Sequence, residues 1–171
     1  MRIISGIYKN RKLFTTLSKG LRPTSSSVRK SIFQILEPFS KLKVLDLYAG
    51  SGSLGIEALS RGADHVTFVE KSAKVMNSLL KNINNLKLAD QSLLIKENVD
   101  NYIKKCDFKY DVIFADPPYG TVDFDILLPK VSNLLNNDGI FCMEKEYEKK
   151  NFSNVRIKNY GKTQFLIWKK K

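Results

Sequence analysis

The chain has 171 residues, two cysteines and a formal charge of +12. That length suits one domain around a single core. No apolar run approaches the ~20 residues that cross a bilayer, and the start MRIISGIYKNRKL lacks the apolar segment and cleavage site of a secretory leader. Cys106 and Cys142 are too few for a disulfide framework and lack metal-ligand spacing, so both read as reduced thiols of a cytoplasmic protein without a metal site.

Residues 1–21 alternate apolar and polar side chains, with Gly6 and Gly20 as punctuation, and predict a short basic hairpin or arm. In RPTSSSVRKSIFQIL, Ser25 or Ser26 is the expected N-cap of a helix whose face carries Val28, Ile32, Ile35 and Leu36, and Pro38 closes it. From residue 43, KVLDLYA predicts a strand, SLGIEALSRG a helix ending at Gly62, and HVTFVE a strand. Ser72 caps a helix with Val75, Leu79 and Ile83 on one side. SLLIK, VDNYIKKC and YDVIFAD follow as strand, short helix and strand. DFDILLPKVSNLL is a helix that Pro129 kinks or frays, GIFCMEKE a strand, and FSNVRIKNYGKTQFLIWK two strands joined near Tyr160 and Gly161. Alternating β and α with apolar strands predicts a parallel sheet covered on both faces, with the final antiparallel pair at one edge. The expected organisation is a basic arm over residues 1–24 and one α/β domain over residues 25–171.

The excess of cations suggests a polyanionic partner, because each Lys or Arg beside a phosphate gains from counterion release. Genome-wide enrichment in Lys, Asn and Ile is the competing source of that excess. The crowding of Arg2, Lys9, Arg11, Lys12, Lys19, Arg22, Arg29 and Lys30 near the start, with no acid among them, favours a nucleic acid.

After the first predicted strand, Gly50, Gly52 and Gly55 fit G-x-G-x-x-G, where a strand turns sharply into a helix while its backbone approaches a ligand. Glu70 ends the next strand, placed to accept from ribose hydroxyls. Asp46 separates the candidate cofactors. A dinucleotide needs the helix N-terminus for its pyrophosphate, and a carboxylate there repels it, whereas S-adenosylmethionine has a cationic end and no phosphate. V-L-D-L-x-A-G-S-G is similar to the first motif of class I methyltransferases. That resemblance implies a doubly wound, Rossmann-like seven-stranded sheet with its last strand antiparallel. It also implies a cofactor site made by Asp46, Tyr48, Gly50, Ser51, Gly52 and Glu70, with Asn98 and Val99 at the adenine; many relatives have Asp where Asn98 stands.

FADPPYG places Asp116 at the end of a neighbouring strand and fixes the backbone after it with Pro117 and Pro118. The Asp116 carboxylate and the Pro117 carbonyl are two acceptors for the two N–H groups of an exocyclic amine, and Tyr119 offers a ring for a planar base. Acceptors so placed orient a poorly nucleophilic amine and stabilise the charge that builds on nitrogen. Thiolate chemistry is disfavoured, since Cys106 sits at a helix C-terminus and Cys142 in an apolar strand; His65 opens a strand, and no Walker lysine follows the glycines.

DPPY is shared by enzymes that methylate adenine, cytosine, guanine and glutamine. RIISGIYKNRKL, RPT followed by Val28-Arg29 and IFQIL, IEALSRGADHVTFVEK and YGKTQFLIW together resemble the RsmD family over nearly the whole chain. Those are bacterial methyltransferases of guanine N2 in 16S ribosomal RNA. The resemblance implies transfer from S-adenosylmethionine to one flipped guanine by a cytoplasmic monomer, acting on the RNA or on an assembling small subunit. It assigns catalysis to Asp116, Pro117, Pro118 and Tyr119, and RNA contacts to Lys9, Arg11, Lys12, Arg22, Thr24 and Arg29. Ser26 departs from the Asp common in the family's RPTSD segment. The rival readings are an amino-methylating enzyme of DNA adenine or protein glutamine, and a non-catalytic RNA-binding module.

Overall fold

The computed structural model describes residues 1–15 and 25–171. Its elements are α1 (Ser26–Leu36), β1 (Lys43–Leu47), α2 (Ser53–Ser60), β2 (His65–Val69), α3 (Ala73–Leu86), β3 (Ser92–Ile95), α4 (Val99–Lys105), β4 (Tyr110–Ala115), α5 (Phe124–Ser132), β5 (Leu135–Glu146), β6 (Val155–Tyr160) and β7 (Thr163–Lys169). Serines start two helices as expected: Ser25 Oγ accepts from Val28 N and Ser72 Oγ from Val75 N.

The strands form one sheet of order β3-β2-β1-β4-β5-β7-β6. Only β7 runs against its neighbours, β5 and β6. Strands after β1 go first to one side and then, from β4, to the other, so the switch point lies between β1 and β4, in register from Val44↔Val112 to Leu47↔Ala115. Side chains alternate across the sheet. Val44, Val112, Phe114 and Cys142 pack with Phe33 of α1, Ile56 of α2 and Leu79 of α3. Leu45, Leu47, Ile113 and Met143 pack with Val99 of α4 and Phe124 and Leu127 of α5. No described helix is long and apolar enough to cross a membrane.

One boundary differs from expectation. The last long helix stops at Ser132, and β5 begins at Leu135 rather than Gly139. The cause is pairing: Tyr110 N donates to Leu134 O at 2.8 Å and Tyr110 pairs with Leu135, so the chain joins β4 before the Asn136–Gly139 stretch, where the register shifts.

Residues 1–15 are tied into the core. An Arg2–Lys12 bridge closes a hairpin, with Ile3 and Leu13 buried in the cluster beneath α1 and α2. Glu57 of α2, wholly buried, accepts from Ile4 N (2.8 Å), Ser5 N (3.0 Å) and Arg61 Nε (2.9 Å). Ser60 adds bonds to Ser5, Ile7 and Tyr8. The expected boundary after residue 24 falls outside the described residues.

At Gly6 the hairpin touches the end of α2: φ is +81° and an added Cβ would meet Ser60 O at 1.7 Å. Gly6→Ala is expected to cost about 2 kcal/mol, lowering Tm by ~4–8 °C. Gly161→Ala, at φ +63° with nothing within 4 Å, should cost less, and thermal unfolding of the two variants measures the difference.

Candidate active site at the switch point

The cleft is built on strand ends. Asp46, 1% exposed, accepts from Gly55 N through Oδ2 at 2.9 Å. Tyr48 at φ +57° and Gly50 and Gly52 at +57° and +83° then turn the chain into α2. At Gly52 a Cβ would lie 2.4 Å from Leu79 Cδ1, and the left-handed φ of +83° makes any side chain here strained. Glu70, just beyond β2, holds the turn from the other side: Oε2 accepts from Gly50 N (3.1 Å) and Oε1 from Ser72 N (2.8 Å). Each oxygen keeps further lone pairs for a hydroxyl. Asn82 of α3 donates to Ser51 O at 2.9 Å.

Asp116 follows β4, its N–H 3.4 Å from Leu47 O, which sets it beside the end of β1. Pro117 is buried and Pro118 exposed. Thr121 takes the Pro118 carbonyl through its N–H (3.2 Å) and Oγ1 (2.6 Å). Tyr119 shares a hydrogen bond with Thr163 of β7 at 2.7 Å, and its ring is 42% exposed at the rim.

The expected residues Asp46, Tyr48, Gly50, Ser51, Gly52 and Glu70 gather at the glycine turn, with Asp116 beside the end of β1, while Pro117, Pro118 and Tyr119 line a neighbouring cavity with Lys145–Glu148. Asn98 and Val99 sit at the start of α4, but Asn98 Oδ1 is engaged by Asp100 N at 2.8 Å and Val99 is core. The adjoining cavity, about 190 Å³, is lined instead by Tyr48, Asp100, Val122, Ile126, Leu127 and Lys130, with Lys130 paired to Asp100. Asp100, two residues past Asn98, was the signal for it. Lys9, Arg11 and Lys12 are exposed on the hairpin; Lys19, Arg22 and Thr24 lie outside the described residues. Arg29 corrects the expectation of a surface cation: it is 2% exposed, on the α1 face that also carries Ile32, Phe33 and Leu36. Glu144 of β5, 3% exposed, was not anticipated, although the apolar run ahead of it ends on an acid as those before Asp46 and Asp116 do.

The acids raise one another's proton affinity. Burial pushes Asp46 up to about 8, opposed by the Gly55 N–H and assisted by Glu70. Burial, then Glu144 and Asp46, hold Asp116 well above the carboxylate range. Tyr48 is pushed up to about 12 by burial and Asp100. Burial also raises the Cys142 thiol, which argues against a thiolate there. Asp46 at this turn suits a ligand whose reactive end is a cation, which favours the ionised carboxylate, over a pyrophosphate, which opposes it.

Such a turn, at the switch point of a sheet whose penultimate position holds the only reversed strand, is how class I S-adenosylmethionine-dependent methyltransferases are built. The chain matches the family described as Conserved hypothetical protein 95 over residues 1–169, and belongs to it. It is 35% identical over 179 residues to the Haemophilus influenzae protein named Ribosomal RNA small subunit methyltransferase D, spanning 98% of this chain and 93% of that one. The solved structure of yhhF from Escherichia coli matches with a TM-score of 0.88 at 29% identity, over 99% of this chain and 97% of that one. A T. thermophilus 16S rRNA N2 G1207 methyltransferase, RsmC, solved with AdoMet and guanosine, shares the fold at 23% identity and a TM-score of 0.72, over 90% of this chain and 45% of that one.

Asp46 makes the cofactor affinity depend on pH. With its carboxyl at about 8 in the free cleft, it is protonated at neutral pH, and a cationic ligand favours the ionised form. Binding should therefore release a proton at pH 7, and affinity should rise up to about tenfold per unit below pH 8 and level above it. Calorimetry of S-adenosylmethionine in buffers of different ionisation enthalpy measures both; Asp46→Asn should flatten the profile, correcting for titration of the ligand's own amine.

Proposed function

We propose that this protein transfers a methyl group from S-adenosylmethionine to the exocyclic N2 of a guanine in 16S ribosomal RNA. The observation that carries this reading is Asp116 set beside the end of β1, next to a glycine turn bounded by Asp46 and Glu70. When bound, S-adenosylmethionine supplies an electrophilic methyl on a sulfonium. Glu70 and Asp46 would hold it, with the Tyr48–Asp100–Val122 cavity beside them for a planar ring.

The guanine amine is a weak nucleophile because its lone pair is delocalised into the ring. Asp116 and the Pro117 carbonyl, each accepting one N–H, fix its direction and favour positive charge on the nitrogen. Asp116 has a second capacity. Its carboxyl, raised by burial and by Glu144 and Asp46, is a stronger base than an ordinary aspartate and can take the proton the amine gives up. Tyr119 is placed to stack on the base. Extrusion of that base from RNA costs a few kcal/mol, which contacts to the flanking backbone must offset.

RNA as substrate is supported by the name of the Haemophilus relative, by the +12 charge and by Lys9, Arg11 and Lys12 on the exposed hairpin. Arg22 and Thr24 remain assigned to the same contact by resemblance. The reading includes a cytoplasmic monomer that meets the RNA free or in an assembling small subunit.

Asp116→Ala is expected to abolish methyl transfer while leaving S-adenosylmethionine affinity within a few fold; a fully active variant would remove Asp116 from the mechanism. Mass mapping of 16S RNA from cells with and without the gene locates the product, and an unchanged guanine pattern would sink the substrate assignment. RNA affinity should fall steeply with salt, and replacing Lys9, Arg11 and Lys12 by Ala should reduce the slope of log K against log salt by about 1 per cation.

A further inference from the structure

Glu144 has no part in holding the amine, yet it is buried beside the group that does. β4 and β5 are parallel with Ala115 opposite Met143. The next residues, Asp116 and Glu144, therefore lie side by side, one strand spacing of ~4.8 Å apart. Each is close enough to influence the other electrostatically. Glu144 points to the face of Cys142 and Phe114, where α1 brings Arg29. Arg29 is 2% exposed and donates through Nη2 to Arg2 O at 3.1 Å. Among the described residues its Nε and Nη1 have no hydrogen-bond partner. The acids acting on it are Glu57 and then Glu144.

We infer that Glu144 selects guanine, its carboxylate accepting the ring N1–H next to the amine held by Asp116. This rests on the methyl-transfer reading above and deepens it. The logic is the pattern of donors on the bases. Guanine alone puts a ring N–H beside its exocyclic amine; adenine and cytosine put a lone pair there, and uracil has no amine. A flipped base is read on that edge. An anionic acceptor next to two amine acceptors attracts guanine and repels the lone pair of adenine or cytosine. Amine-holding groups alone would accept all three.

The probe is 2-aminopurine, which keeps the 2-amine and presents a lone pair at N1. It is placed in 16S RNA from gene-deleted cells at the mapped guanine, and kcat/KM is compared with guanine for the wild type, Glu144→Gln and Glu144→Asp. Binding is followed separately by 2-aminopurine fluorescence. The wild type should favour guanine by about 100-fold or more, as expected when a buried acceptor is left unpaired. Glu144→Gln should slow guanine and shrink the preference at least ~10-fold, because its amide can donate to the lone pair, while Glu144→Asp keeps the preference at a lower rate. An unchanged preference in Glu144→Gln would overturn the inference. So would a wild type that methylates 2-aminopurine as fast as guanine, a result that needs no variant to fold. Absence of any N2-methylguanine in the mapping would instead overturn the substrate reading, and this inference with it.

Discussion

The structure depends on carboxylates set at the C-terminal ends of adjacent parallel strands. Asp46 and Glu144 lie near the C-terminal ends of β1 and β5, Glu70 and Asp116 follow β2 and β4, and a doubly wound sheet brings those ends together at one edge. Backbone donors offset part of their repulsion. Gly55 N serves Asp46, and Gly50 N and Ser72 N serve Glu70. Those same bonds fix the glycine turn, so the acids shape the cleft as well as charge it. What the donors do not offset remains as raised proton affinity at Asp46 and Asp116.

The second constraint links the surface to that cleft. α2 begins at the glycine turn and ends beneath the N-terminal hairpin, and its Glu57 and Ser60 hold the hairpin's backbone. Asn82 of α3 completes the link. Its amide donates to both Phe14 O and Ser51 O while Phe14 N donates to its Oδ1. A buried amide with three bonds leaves little freedom. The hairpin that carries the exposed Lys9, Arg11 and Lys12 is therefore tied to the glycine turn through Glu57, Ser60 and Asn82.

Much of the site was legible because its signals are local. Glycines at a strand end, an acid before them and a proline-fixed turn each have a short-range cause. Serine caps and apolar periodicity likewise placed the helices. What escaped is set by pairing between distant segments. The start of β5 follows from Tyr110 meeting Leu134 and Leu135, which no local pattern states. Arg29 was misplaced because charge was read without its helical position; its spacing to Ile32, Phe33 and Leu36 puts it on the apolar face. Glu144 needed the register with β4 before its neighbour could be named.

The burial of Arg29 is costly unless a compensating charge is near. Its position answers an imbalance. Burial, then Glu144 and Asp46, raise the proton affinity of Asp116. Arg29 lies on the Glu144 side of that row and leaves the Asp46 side uncompensated. A sulfonium on the Asp46 side and a base amine gaining charge at Asp116 would complete the balance from the other end. The fold thus holds an electrostatic deficit whose location matches where methyl transfer to an amine develops positive charge, which is what preorganisation requires of a site that must favour the transition state over either reactant.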